Sequence, residues 1–450
     1  MSQNIVLKKG LDVPITGTAE LRLAKTMVPD RVAVKPTDFK GMSPRLLVKE
    51  GDSVKIGSPV LSDKNNPAIL VASPVSGTVQ EIVRGDKRKL LAVLIQSDGK
   101  REALDFGKGS VKDLSPDQIR EKLLASGLWP WIIQRPYGII ADPAATPKAV
   151  FVSAFDSAPL APAYDYTLGA EIANIQTGID AMAKLTGAPV HIGLPAGPTP
   201  FDKLENAVQH RFQGPHPTGN VGVQISHIAP ICKGETVWTI SLLGLAMIGR
   251  LLATGQYNAY RKVAVTGPMA IDPAYIETLP GTAVKEFGPY YGGSADGIRI
   301  VDGNVLSGEN IGADGYLGYY AQQMTLIREG VEPELLGWIR PLRYKQFSTD
   351  RSYFSWLTPR RKYDMDTNLH GGVRAFLMND AYYAKVLPMD IYPVFLAKAC
   401  LAGDIDKMEK FGIYEVLPED LATCEFVDPS KNNIQEMIAK GIDLMRKEMA

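Results

Sequence analysis

Along the first hundred residues the apolar positions recur every second residue in short runs. Val54/Ile56 and residues 78–83 and 90–95 are the clearest, and each run ends in turn chemistry: Gly51-Asp52, Gly57, Asp63-Lys64-Asn65-Asn66-Pro67, Ser73-Pro74-Val75-Ser76-Gly77 and Ser97-Asp98-Gly99. Period two between such turns predicts a compact set of short strands, densest over residues 48–82. At Ser115 the period changes. Ser115 is a ready N-cap, Pro116 fits the first turn, Asp117 follows, and Ile119, Leu123 and Leu124 line one face until Gly127 stops the helix. A continuous apolar strand over 149–154 leads to a helical pattern over 169–186 and a strand over 190–193. Residues 201–208 predict another helix, and the apolar run 237–249 predicts a buried one. Strand–helix–strand alternation implies a parallel α/β layer with right-handed crossovers. Beyond Gly255, strands over 262–268 and 297–306 flank a helix-like 273–279, the pattern of a small mixed sheet; 391–401, 404–411 and 434–448 have the 3–4 spacing of helices. The chain therefore divides as 1–100, 101–255, 256–332 and 333–450, a multidomain α/β and α+β protein.

Two of these parts resemble known modules. The Gly-Asp, Asp-Lys and Ser-Pro-x-x-Gly turns, in that order, resemble the lipoyl/biotinyl carrier module, a flattened barrel-sandwich whose hairpin-tip lysine receives a swinging cofactor. Lys64 is the lysine such a resemblance implies, which makes a carrier protein an alternative function. Against modification stand a longer hairpin and Pro67 in its tip. The α/β part is Rossmann-like, and such a layer holds a nucleotide on a glycine-rich turn after its first strand. Here that turn is Phe155-Asp156-Ser157-Ala158-Pro159-Leu160-Ala161-Pro162, with two prolines and no glycine, so it offers no phosphate cradle. The later loop 214–222 is glycine-rich without Gly-x-Gly-x-x-Gly spacing, and His216 and His227 have no carboxylate at ligand spacing.

Composition narrows the function. Lys+Arg and Asp+Glu are equal at 49 each, so no global field points to nucleic acid. Cys232, Cys400 and Cys424 lie far apart, which argues against disulfides, zinc or iron–sulfur ligation and fits a reducing compartment. No apolar run follows the first ten residues, and the 237–249 run is shorter than the roughly 20 residues a membrane span needs. The chain is therefore expected to be soluble by itself. Two stretches mix aromatics with cations: 128–138, LWPWIIQRPYG, and 340–362, with Arg340, Arg343, Lys345, Arg351, Arg360, Arg361 and Lys362 among Tyr344, Phe347, Tyr353, Phe354 and Trp356. The first is an interdomain plug, a slot for a flat apolar ligand or a partner surface; the second is a membrane-surface or partner contact, or a solvated loop. No catalytic grouping and no metal signature is visible.

Several segments together resemble one family closely: 7–17 (LKKGLDVPITG), the DKNNP turn with SPVSG, SGLW with RP over 126–136, GPHPTG, IREG over 327–330 with ELLGW over 334–338, and CEFVDPS over 424–430. They are similar to the A subunit of the sodium-translocating NADH:quinone reductases of bacterial membranes. The resemblance implies a peripheral subunit on the cytoplasmic face of the inner membrane, part of a six-subunit pump that couples electron flow from NADH to ubiquinone to sodium export. It implies no flavin, iron–sulfur cluster or covalently bound cofactor in this chain, quinone binding beside the membrane-embedded B subunit, and a small β-grasp-like (SLBB) third domain. The flavin- and NADH-binding subunit of complex I and the C subunit of Rnf complexes are cousins. The sequence departs from them at the glycine-free turn and at Asp428-Pro429, where a cluster motif would place a second cysteine. Quinone binding by analogy falls on 35–42 and 129–138: Phe39, Gly41, Met42, Trp129, Trp131, Arg135 and Tyr137. Trp131 and Tyr137 suit the walls of a flat slot, Arg135 a charge-assisted hydrogen bond to a carbonyl, and Phe39 and Met42 the ring or tail. The further alternatives are a purely structural clamp and a flavin-binding dehydrogenase subunit.

Overall fold

The structure, a computed structural model, describes residues 2–331, 343–349, 354–368 and 378–449. The segment 334–338 and Arg340, Arg351 and Tyr353 lie outside the described residues.

The strand-rich first domain is a barrel-sandwich. A four-stranded sheet (Arg31–Val34, Leu90–Ser97, Gly77–Arg84, Ser53–Val54) faces a three-stranded one (Pro44–Leu46, Pro59–Asp63, Leu70–Ala72). Val32, Val60, Leu61, Val71, Val79, Val93 and Ile95 fill the space between them. Lys64 is exposed immediately after Pro59–Asp63, and its own N–H is tied to the Ser43 carbonyl at 2.8 Å.

The α/β domain carries a seven-stranded sheet in the order Asn4–Val6, Val208–Gln213, Val190–Pro195, Val150–Ser153, Val237–Thr239, Ile133–Arg135, Ile139–Ile140. The first five run parallel and the last two form an antiparallel edge. Ser115 caps the helix Pro116–Ala125 in a capping box with Gln118. The helices Ile172–Thr186 and Leu242–Thr254 cross on one face of the sheet through reciprocal glycines: a Cβ at Gly178 would collide with the Leu245 carbonyl, one at Gly249 with that of Asn174.

The third domain is a six-stranded mixed sheet, Glu309–Asn310, Ile298–Asp302, Gln323–Arg328, Arg261–Thr266, Ala274–Thr278, Leu23–Thr26. The fourth is helical, with Asp380–Val386, Pro393–Ala402, Ile405–Phe411, Ala422–Val427 and Ile434–Met449 around Tyr383, Leu396, Met408, Cys424 and Ile438. No helix among the described residues is long and apolar enough to cross a membrane.

The N-terminus belongs to neither half of the barrel. Asn4–Val6 extends the α/β sheet beside Val208–Gln213, and Leu23–Thr26 extends the small sheet beside Ala274–Thr278. Each covers an edge that would otherwise present unpaired backbone groups.

Four expectations are corrected. Residues 201–208 form no helix: Pro200–Lys203 is a single 3-10 turn, and Val208–Gln213 is a strand locked between two parallel neighbours. The 237–249 run is two elements, because Val237–Thr239 pairs with Val150–Ser153 before Ser241 caps Leu242–Thr254. Residues 273–279 are strand, Ala274–Thr278, where β-branched and aromatic side chains suit pairing with Arg261–Thr266. The 128–138 stretch, expected as a proline-broken loop, is a 3-10 turn, Trp129–Trp131, followed by the strand Ile133–Arg135, paired on both sides.

The glycine crossing gives a test. Gly249→Val should destabilise the protein by about 1–3 kcal/mol through overpacking. Gly197→Ala, where an added Cβ meets nothing within 4 Å, should leave the unfolding midpoint nearly unchanged in the same urea titration.

Candidate functional site

The segments 35–42 and 129–138 meet where the barrel, the α/β layer and the small sheet join. Val34 ends a barrel strand, and Pro36–Asp38 is a 3-10 turn that aims Phe39 inward, 3% exposed. The Trp129–Trp131 turn aims Trp131 at the same place, also 3% exposed. Between them stand Tyr319 and Tyr320 of the small domain. Ring centroids lie 4.7 Å apart for Phe39–Tyr319, 5.3 Å for Trp131–Tyr319, 5.1 Å for Trp131–Tyr320 and 6.1 Å for Phe39–Tyr320. The two segments also approach at Gly41, where a Cβ would press on Ile139 at 2.6 Å.

Charge lines the rim. Lys35 Nζ is 3.2 Å from an Asp38 carboxylate oxygen and donates to the Tyr316 carbonyl at 3.2 Å. The Tyr319 N–H donates to Asp38 at 2.8 Å and the Gly318 N–H to Asp302 at 2.6 Å. Burial raises the Asp38 pKa, opposed by Lys35. Burial likewise pushes the Asp302 carboxyl up to about 6. A shallow cleft, partly open to solvent and with room for little more than a water molecule, lies between Lys35, Asp38, Phe39, Pro74, Gly281 and Tyr319.

Behind Tyr319 lies a buried cation that the sequence does not single out. Arg261 starts a small-domain strand and is 3% exposed. Its Nη1 donates to the Tyr319 carbonyl at 2.6 Å, and the guanidinium carbon sits 5.3 Å from the Trp131 ring centre, a cation–π contact. Burial lowers its pKa to about 10. Among the described residues no carboxylate forms an ion pair with it.

The other expected site residues lie elsewhere. Trp129 is turned into the α/β core, edge-on to Trp238 at 5.7 Å, and its Nε1 donates to the Ala141 carbonyl at 2.7 Å. Met42 packs half-buried against the main core. Arg135, expected as a ligand donor, is engaged by two carboxylates: Nη1 to Asp420 at 3.0 Å and Nη2 to Glu419 at 3.2 Å. A Cβ at Gly222 would collide with both Arg135 and Asp420, so this ion pair fits only beside a glycine. Tyr137, expected as a slot wall, takes φ +84° and packs against the helical domain's core. Arg135 and Tyr137 thus clasp the α/β layer to the helical domain, and Phe39 and Trp131 alone of the seven face each other across a shared aromatic cluster.

Barrel-sandwich, α/β layer, small sheet and helical end, in that order, define the class: a multidomain NqrA-type subunit. Residues 5–98 match the NqrA N-terminal barrel-sandwich hybrid domain, 114–257 the NqrA second alpha/beta domain and 262–312 the NQRA C-terminal (SLBB) domain. The chain belongs to the A-subunit family of the Na(+)-translocating NADH-quinone reductases. It is 35% identical over 431 residues to that subunit of Yersinia pestis bv. Antiqua, covering 95% of this chain and 96% of the relative. To that of Neisseria meningitidis serogroup A it is 35% identical over 449 residues, 99% and 100% of the two chains. Among solved structures, a chain of an NAD+-reducing [NiFe]-hydrogenase aligns with a TM-score of 0.33 at 12% identity, covering 49% of this chain and 48% of that one.

Two tests follow from the charges. Asp420→Ala should cost about 1–3 kcal/mol, since Arg135 would keep only the partly exposed Glu419, and the double variant Arg135→Met/Asp420→Leu should recover part of it in chemical denaturation. Asp302 has the opposite sign. Its folded carboxyl titrates near 6 against an ordinary 3.8, so between those values the folded state binds more protons and stability falls as pH rises. Asp302→Asn should therefore raise the melting temperature above pH 6 and change it little below pH 4.

Proposed function

We propose that this chain is a quinone-binding peripheral subunit of a sodium-translocating NADH:quinone reductase. It sits on the cytoplasmic face of the bacterial inner membrane against the membrane-embedded B subunit and contributes no flavin, iron–sulfur cluster or catalytic centre of its own. Membership of a multi-subunit complex follows from kinship with proteins named as its A subunit over nearly the full length. A peripheral placement is supported by described helices too short or too polar to cross a bilayer.

The observation that carries quinone binding is the meeting of Phe39 and Trp131 around Tyr319 and Tyr320. A quinone head group is flat and largely apolar, with acceptor oxygens at its edge, so it wants ring faces and a few donors in a desolvated place. The aromatic cluster supplies ring faces, and the adjoining cleft supplies an approach between Lys35 and Pro74. The reading keeps the pair Phe39 and Trp131 and passes Arg135 and Tyr137 to domain joining.

A photoreactive ubiquinone analogue, applied to the assembled complex, tests this. Saturable labelling within 35–42, 129–138 or beside Tyr319, lost on adding excess ubiquinone, is the expected result. Labelling that is dispersed, or indifferent to ubiquinone, would overturn the assignment.

A further inference from the structure

The aromatic cluster holds two donors that find no acceptor among the described residues. Trp131 Nε1 and Arg261 Nη2 are both buried, and neither has a hydrogen-bond partner there. Either alone is costly, and a buried guanidinium without a carboxylate is more so, because its charge has left water without a counter-charge. The rest of Arg261 is well held: Nη1 on the Tyr319 carbonyl, Nε on the Ala259 carbonyl at 3.4 Å. Only its outer nitrogen remains open, and it belongs to the guanidinium that lies over the same indole whose N–H is open.

Tyr319 packs on the same indole and lines the cleft. Its side chain stands between Phe39 and Trp131, a gap of one ring, and the cleft begins on its outer side. Its backbone is fixed at both ends, N–H to Asp38 and C=O to Arg261. The ring itself is held by packing and, beside the buried Tyr257, by a 3.2 Å hydrogen bond from its hydroxyl to the Gly127 carbonyl. Turning the side chain would break one neutral hydrogen bond and leave both backbone contacts, to Asp38 and to Arg261, in place.

Resting on the quinone reading above, we propose that the head group binds by displacing the Tyr319 ring from between Phe39 and Trp131. Its oxygens then take the open hydrogen bonds of Arg261 Nη2 and Trp131 Nε1. Arg261 takes the role that sequence gave to Arg135: a charge-assisted donor for an oxygen acceptor in a desolvated slot. The ligand class is set by shape and charge together. A ring-sized gap with two donors and one fixed positive charge fits a flat, neutral or singly anionic ring with edge oxygens, which covers a quinone and its one-electron-reduced form.

The purified full-length chain, titrated with a short-chain ubiquinone and followed by calorimetry, tests this without the rest of the complex. Melting temperatures are measured alongside. Wild type should bind saturably. Arg261→Met should weaken binding at least about tenfold, the loss expected for one charge-assisted hydrogen bond. Trp131→Phe, which keeps a ring and removes the donor, should weaken it severalfold, and Tyr319→Ala should strengthen it by removing the occupant. If Arg261→Met fails to fold, Arg261→Lys and Trp131→Phe carry the comparison. Wild-type binding that Arg261→Met and Tyr319→Ala leave unchanged overturns this site and spares the quinone reading. No binding by wild type or by Tyr319→Ala overturns both. A lowered melting temperature in Arg261→Met with an unchanged affinity marks Arg261 as purely structural and also overturns the proposal.

Discussion

The two peptide groups that flank one residue, Tyr319, reach both the barrel and the small sheet. The N–H of Tyr319 donates to Asp38 of the barrel, and its carbonyl accepts from Arg261 of the small sheet. The Asp38 carboxylate, which also pairs with Lys35, and the buried Arg261 guanidinium are thus each held by one of the peptide groups flanking Tyr319, a donor N–H for the anion and an acceptor carbonyl for the cation. Sliding the barrel against the small sheet would break the bond from the Tyr319 N–H to Asp38 and leave that largely buried carboxylate with Lys35 alone. A hydrogen bond to a charged group, worth about 1.5–3 kcal/mol, holds this junction. The Ala33 N–H to the Gly281 carbonyl, at 2.9 Å, reinforces it nearby, where a side chain on Gly281 would collide with Ala33.

The N-terminal strap acts on the same joint from outside. The first 26 residues place one strand on the α/β sheet and one on the small sheet before the chain enters the barrel. Two sheet edges are closed by a single segment, so the barrel is tethered to both neighbours by backbone pairing as well as by the Tyr319 peptide. At the far end Arg135, held by Asp420 and Glu419, ties the helical domain to the α/β layer, and losing it would leave the buried Asp420 carboxylate without its cation. The aromatic side chains of Phe39, Trp131 and Tyr319 are packed and buried where the barrel, the α/β layer and the small sheet join.

What the sequence made legible was local. The Ser115 cap, the short barrel strands and the α/β alternation depend on neighbours within a few residues, and they came out as expected. Residues 201–208 and 273–279 carried helix-compatible spacing, and pairing with distant strands overrode it. Trp129 and Trp131 were indistinguishable by composition; only the 3-10 turn sends one toward Trp238 and the other toward Tyr319. Arg135 and Arg261 show the same limit for charge. Each is a cation in an apolar stretch, but Arg135 met carboxylates supplied by residues 419 and 420, while Arg261 met aromatic rings and carbonyls. No local signal separates a compensated buried arginine from an uncompensated one, because the compensation comes from a distant part of the chain.

The α/β layer shows why ligand chemistry belongs at the seam. In an open sheet of this kind the crevice lies at the carboxyl ends of the strands where their order reverses, here between Val150–Ser153 and Val237–Thr239. Around that place the chain supplies its own partners. The Ser157 hydroxyl accepts from the Gly219 N–H at 2.7 Å and pairs with His216 Nδ1 at 3.0 Å, while burial lowers the His216 pKa to about 4 and keeps the ring neutral. Gln224 donates to the Ser153 hydroxyl and the Thr218 carbonyl and fills the space beside Gly193. Polar groups that would cradle a phosphate are already satisfied by one another. At the seam the opposite holds: ring faces are apposed, and among the described residues a guanidinium is buried without a carboxylate and an indole N–H has no acceptor. Unsatisfied buried donors raise the energy of the ligand-free state, so a ligand that meets them recovers the hydrogen bonds the fold leaves unmade.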